Sequence, residues 1–250
     1  MKRPSLLPAV APLVLLAAWF AIALTPWATH HAVPRPGEVL AVARTELLTV
    51  TLWRDLGATL ARTAAGVGLA ATLGAALGFL LGRSPTAWRA SEPTVDFLRS
   101  IPPILSYPLF LLALGYGESA RIAAVAFGST GIVLLHVARA LAQVPRARVD
   151  TVKLAGLRGL AAVRALYLYE SLPALFTGVR LAFTAGLIVV VVSEMLTGAH
   201  YGLGVRAQEA LLEYRADLLW LVILVAGLAT FAISGTLAWA ERRYVHWAGR

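Results

Sequence analysis

The chain has 250 residues, of which 59% are hydrophobic and 14% charged, with a mean hydropathy of +0.74 and a formal net charge of +9. A soluble domain carries about a quarter charged residues, so this balance excludes a large soluble core and indicates a polytopic membrane protein. Cysteine is absent, which excludes disulfides, thiolate metal sites and cysteine nucleophiles.

In chain order, a basic start, MKR, precedes an apolar stretch from Leu6 to Leu24. That stretch is long for a signal-peptide core and no A-x-A site follows, so it reads as an uncleaved first span. The second span is Ala64–Leu81. Its Gly74, Gly78 and Gly82 form two overlapping G-x-x-x-G steps, which let helix backbones approach closely in lipid, within one chain or between two copies. Gly66 and Gly68 mimic a dinucleotide fingerprint, but no strand precedes them and helix packing is the better reading. The uncharged stretch IPPILSYPLFLLALGYG supplies a third span, whose prolines shorten the helix to about Ser106–Leu114. Ile122–Ala138, Leu175–Ser193 and Leu218–Ala240 follow, each near the roughly 20 residues that cross a hydrocarbon core.

Six spans put both termini on one side of the membrane. Fourteen of the 22 lysines and arginines then share that side and six face the other, so the terminal side is expected to be cytoplasmic. Placed in this way, the basic charge reads as topology rather than nucleic-acid binding. The expected fold is an all-α membrane protein, a bundle of about six transmembrane helices with both termini cytoplasmic. Its parts are a first span and extracytoplasmic segment (1–58), a five-span core (59–240) containing a cytoplasmic loop (140–173), and a cytoplasmic tail (241–250).

Catalytic and nucleotide motifs are missing. The only lysines, Lys2 and Lys153, are not part of G-x-x-x-x-G-K-[ST], and neither H-E-x-x-H nor G-x-S-x-G occurs. The five histidines lack zinc-ligand spacing, so no metal or catalytic residue is expected, and ATP-driven work would need a partner. Two titratable residues lie near apolar spans. Glu194 follows LIVVVVS and is either an interfacial carboxylate reaching water or a group on a translocation path. His136, in the cytoplasmic half of the fourth span, either faces such a path or is satisfied by a neighbouring helix. Arg180, near the inner end of the fifth span, either assists an anion or snorkels to the interface.

The run DTVKLAGLRGLAAVRALYLYESLP, Asp150 to Pro173, is too charged to span and too apolar for a solvated loop. Leucine, alanine and arginine favour helix on both sides of Gly156, giving two pieces hinged there. Pro173 is expected to end the second piece or to open the next helix at its first turn. Leu157, Leu160, Val163 and Tyr167 share one face. Such a loop either lies on anionic headgroups or docks a protein.

The same run resembles the cytoplasmic signature of bacterial ABC-importer permeases, E-A-A-x-x-x-G followed some seventeen residues later by proline. Here the match is D-T-V-K-L-A-G, Asp150 to Gly156, with Pro173 at that spacing. Asp150 stands where the family has Glu, Thr151 and Val152 replace its two alanines, and Tyr169 replaces a frequent proline. Four further stretches are similar to the nitrate, sulfonate and taurine branch: VPRPGEVL, FLRSIPPI, LPALFTGVRLAF and SEMLTGAHYGLG, in order along nearly the whole chain.

The resemblance implies a permease of the bacterial inner membrane with a cytoplasmic coupling helix. Asp150, Thr151, Val152, Gly156 and Pro173 would form its contact with an ATPase subunit. It implies two ATPases using ATP and Mg, an extracytoplasmic solute-binding protein, a second permease copy in a homodimer, and a small solute such as a sulfonate, taurine or nitrate. The rival reading is an ion-coupled secondary carrier using Glu194 or His136 as its proton site. A membrane enzyme is a third reading, without a recognisable catalytic constellation.

Overall fold

The computed structural model describes residues 7–25 and 33–247. Lys2, Arg3, Leu6 and Arg250, which enter the first span and the terminal charge count, lie outside the described residues. All regular elements in the described residues are helical.

Two shorter helices, α1 (Leu7–Ala23) and α2 (Pro36–Glu46), lead into the long α3 (Val50–Gly82). Pro36 occupies the first turn of α2, where its missing N–H costs nothing, and the Glu38 carboxylate accepts from the Arg35 backbone N–H at 2.9 Å. Thr49 caps α3, its Oγ1 accepting from Leu52 N at 3.5 Å. Helix α4 (Pro85–Ser100), capped by Ser84, meets α5 (Pro103–Leu114) at a bend of 81°. Pro102 and Pro103 force this break, because a proline restricts the residue before it and supplies no donor.

After α6 (Glu118–Ala142) come α7 (Arg146–Leu154) and α8 (Gly159–Ala162). The chain then runs through a π-helical stretch, Val163–Leu168, into α9 (Tyr169–Thr197), followed by α10 (Leu203–Leu212) and α11 (Ala216–Tyr244).

Among the described residues, four helices are long and apolar enough to cross a membrane: α3, α6, the continuous Gly159–Thr197 and α11. The bent α4–α5 pair is a fifth by the same measure, and α1 is a shorter apolar helix of 17 residues. Helix α3 begins at Val50, well before the expected Ala64. Asp55 and Arg62, which look like span-ending charges in the sequence, are paired inside the bundle and do not need to reach water.

Pro173 corrects another expectation. It neither ends a helical piece nor opens the next, but lies inside α9. Its missing N–H leaves the Tyr169 carbonyl without its usual partner four residues on. The π-helical stretch precedes this site, and the indole Nε1–H of Trp247 donates to the Tyr169 oxygen at 3.2 Å.

The main core joins α3, α6 and α9 through Val67, Val125, Val133, Val137, Phe183 and Val190. Helix α6 is the most enclosed span and α11 the least, with 56% against 17% of their apolar stretches buried. The glycine stripe of α3 faces α6 of the same chain. A Cβ at Gly74 would lie 2.8 Å from the Thr130 carbonyl, one at Gly78 2.8 Å from that of Leu134, and one at Gly82 2.5 Å from that of Ala138. These contacts allow no side chain, and they set the α3–α6 separation. A second cluster joins α2, α3, α10 and α11 around Leu52, Leu203 and Leu218, and Trp19 of α1 stacks on Trp220 at 5.0 Å.

Candidate functional site

Two regions of the bundle carry chemistry, one at each end of α9. At the α10 end, Asp55, Thr59 and Arg62 recur one and then two helical turns apart, forming a polar stripe on one face of α3. All three are buried.

Glu194, wholly buried near the end of α9, faces that stripe. Its Oε1 accepts from Arg62 Nη1 at 2.5 Å and its Oε2 accepts from Gly204 N at 2.9 Å. Thr59 Oγ1 donates to the same carboxylate, 3.0 and 2.9 Å from its two oxygens, and accepts from Leu203 N at 2.9 Å. Glu194 is therefore not an interfacial group reaching water. Its cost of burial is offset by a full set of donors.

Arg62 serves two acids. Its Nε and Nη2 hold the Glu118 carboxylate at 2.5 and 2.8 Å, and its Nη1 also reaches the Tyr201 carbonyl at 2.7 Å. Beside it, Arg121 donates from Nη2 to the Gly198 carbonyl at 2.5 Å and to Thr197 Oγ1 at 3.1 Å. The Thr197 hydroxyl also meets Tyr107 OH at 2.8 Å. Asp55 accepts from Gly202 N at 3.1 Å and from Arg206 Nε at 2.9 Å, and Arg206 reaches Glu46 at 2.6 Å. Residues 198–202, linking α9 to α10, and the first two residues of α10 are thus held by side chains of α3, α6 and α9. This network is what the sequence reading missed. Its available signal was the polar stripe at helical spacing in an otherwise apolar α3.

His136 belongs to α6 and packs against Gly178 of α9, sixteen residues before Glu194 along that helix. Its Nδ1–H donates to the carbonyl of Ile132 in its own helix at 2.8 Å. Arg180 pairs with Glu241 of α11 at 2.8 Å rather than simply snorkelling. Among the described residues, no three His, Asp or Glu are grouped so as to hold a metal ion.

The second region is the segment from Arg146 to Leu168. Helix α7 buries none of its residues. Asp150 and Lys153 pair at 3.8 Å, and Thr151 donates back to the Ala147 carbonyl at 2.8 Å. Gly156 adopts φ +71°, in the left-handed region that favours glycine, and Leu157 N closes the turn onto the Val152 carbonyl at 3.2 Å.

Leu154 is 89% exposed and Leu160 75% exposed, whereas Tyr167 is half-buried. The base of the segment is nonetheless fastened. Arg148 pairs with Glu170 of α9, and Tyr167 stands edge-on to Phe79 of α3 with ring centroids 6.1 Å apart. An apolar tip on a fixed base is therefore presented at this end of the bundle.

Comparison with known proteins agrees in both sequence and fold. Residues 70–246 match the family described as binding-protein-dependent transport system inner membrane component. A probable ABC transporter permease protein of Brucella abortus (strain 2308) is 30% identical over 236 residues, covering 92% of this chain and 94% of the relative. The taurine transport system permease protein TauC of Escherichia coli (strain K12) is 26% identical over 245 residues, covering 94% and 87%. The nitrate import permease protein NrtB of Leptolyngbya laminosa is 26% identical over 194 residues, covering 78% and 69%. Among solved structures, an inward-facing MetNI methionine ABC transporter shares the fold, with a TM-score of 0.67 at 23% identity, over 80% of this chain and 97% of that one.

Proposed function

The chain belongs to the family of binding-protein-dependent transport system inner membrane components, the permeases of ABC importers, and from that premise we propose that it carries a small oxyanion and is driven through its α7 segment. It is a multi-pass inner-membrane permease. Relatives named for taurine, nitrate and aliphatic sulfonates support a solute of that chemistry.

The observation that carries the driving role is the α7–α8 tip. Leu154 and Leu160 are exposed at the end of an element whose base is tied to α3 and α9. An ATPase groove covering these side chains removes apolar surface from water and gains a rigid lever. Displacement of α7 then passes through Arg148–Glu170 into α9, whose far end carries Glu194 and the pinned 198–204 segment. Asp150, Thr151, Val152 and Gly156 shape the contact, and Pro173 lies in the first turns of α9 behind it.

ATP and Mg belong to the partner in this reading, two ATPases act on two permease copies, and an extracytoplasmic binding protein delivers the solute to the α10 end. His136 and Glu194 remain candidates for the translocation path. The ion-coupled carrier is not favoured, because Glu194 is wholly buried and engaged by Arg62, Thr59 and Gly204.

The test is uptake by proteoliposomes holding the assembled importer with Gly156→Asp. The reading predicts an inserted, assembled complex whose ATP hydrolysis no longer drives uptake. Uptake at the native rate would overturn it.

A further inference from the structure

The α10 end holds two arginines and an acid that are unequally placed. The side chains of Arg62 and Arg121 are only 9% and 6% exposed, whereas that of Glu118 is 56% exposed. Glu118 is also the first residue of α6, so its side chain sits at the rim while the arginines reach it from within.

Both arginines are positioned without Glu118. Arg62 is held by Glu194 and the Tyr201 carbonyl, and Arg121 by the Gly198 carbonyl and Thr197. If the Glu118 carboxylate swings away, the Nε and Nη2 donors of Arg62 remain aimed at the place it left. Nη1 of Arg121 stands 3.7 Å from the same carboxylate. Nε of Arg121 is buried and makes no hydrogen bond among the described residues, so the cluster has more donors than their acceptors use.

Charge points the same way. Arg62, Arg121, Glu118 and Glu194 together are neutral, and without Glu118 the group carries one positive charge. A singly charged ligand with two or more oxygens restores neutrality and fits the planar fork of Arg62, which favours bidentate oxyanions. The donors are already in place, so little ordering cost attaches to the exchange.

We propose that Arg62 and Arg121 form an exchangeable site for a small organic oxyanion, a sulfonate or carboxylate, whose place the Glu118 carboxylate holds in the unliganded chain. The proposal rests on the importer reading only for the direction from which the anion arrives.

The experiment uses the full chain in phosphatidylcholine nanodiscs, titrated calorimetrically with methanesulfonate. Glu118→Gln removes the internal competitor and is expected to tighten methanesulfonate binding about tenfold, the size of one charge-assisted interaction. Adding Arg121→Gln is expected to abolish that gain. Equal affinity of the native and Glu118→Gln chains, both melting cooperatively, would overturn the proposal, as would a gain that survives Arg121→Gln. Glu118→Ser serves as a second variant if the glutamine chain does not melt cooperatively.

Phosphatidylglycerol retention, followed by native mass spectrometry, separates a soluble solute from a lipid headgroup. Retention that rises with Glu118→Gln while methanesulfonate stays inert would overturn the solute assignment. Co-purification of the cognate ATPase is measured on the same variants. Its loss in the native chain would count against the importer coupling and leave the anion site standing.

Discussion

Arg62 Nη1 and Glu194 Oε1 lie 2.5 Å apart, joining α3 to α9 with the carboxylate wholly buried. Thr59 and the Gly204 N–H fill the remaining acceptor positions of that carboxylate, and Arg62 passes on to Glu118 and Tyr201. The α10 end of the bundle is thereby fixed by charge rather than by apolar packing alone.

Removing Glu194 takes the buried acceptor from Arg62 Nη1, Thr59 and the Gly204 N–H, while Arg62 keeps Glu118 and the Tyr201 carbonyl. Loss of hydrogen bonding to a charged group typically costs about 1.5–3 kcal/mol. Glu194→Ala should therefore destabilise the chain by that amount in a reversible denaturation in detergent. Glu194→Gln keeps the shape and part of the hydrogen bonding and should cost less. Equal stability of the alanine variant and the native chain would show that the network adds no constraint.

The glycine stripe gives a paired test on one helix. Gly74→Ala places a Cβ 2.8 Å from the Thr130 carbonyl, and such overpacking costs about 1–3 kcal/mol. Gly68→Ala meets nothing within 4 Å and should stabilise α3 by about 0.5–1 kcal/mol. Thermal melting of the two variants should move in opposite directions. Movement of both in the same direction would contradict the close α3–α6 approach.

Trp247 and Pro173 make a third test. Trp247→Ala removes the donor to the Tyr169 carbonyl and a ring contact of 4.7 Å, and should cost about 1–2 kcal/mol. Pro173→Ala restores a backbone N–H able to donate to that carbonyl. The cost of Trp247→Ala should then shrink in the Pro173→Ala background, as a double-mutant cycle measures. Strict additivity would show that the proline and the indole act independently.

The spans were legible because apolar residues run long between charges, and Ile122–Ala138 and Leu218–Ala240 lie inside α6 and α11. Helices α2, α4 and α10 were not foreseen. They are short and carry charges such as Glu46, Arg99 and Arg206, which read as loop until their partners are known. Asp55 and Arg62 misled in the same way, since a charge satisfied inside the bundle looks identical in sequence to one that ends a span. The hinge at Gly156 was visible from glycine alone. The course of α9 through Pro173 was not, because the group that caps Tyr169 comes from a distant part of the chain.

The exposed α7–α8 tip is the proposed contact with an ATPase, and the absence of cysteine makes that contact directly testable. A single Leu154→Cys should cross-link to a cysteine placed in the groove of the co-expressed ATPase, with the native level of complex retained. A cysteine at the exposed Tyr214, near the α10 end, should not. An adduct from Tyr214→Cys with none from Leu154→Cys would contradict the account.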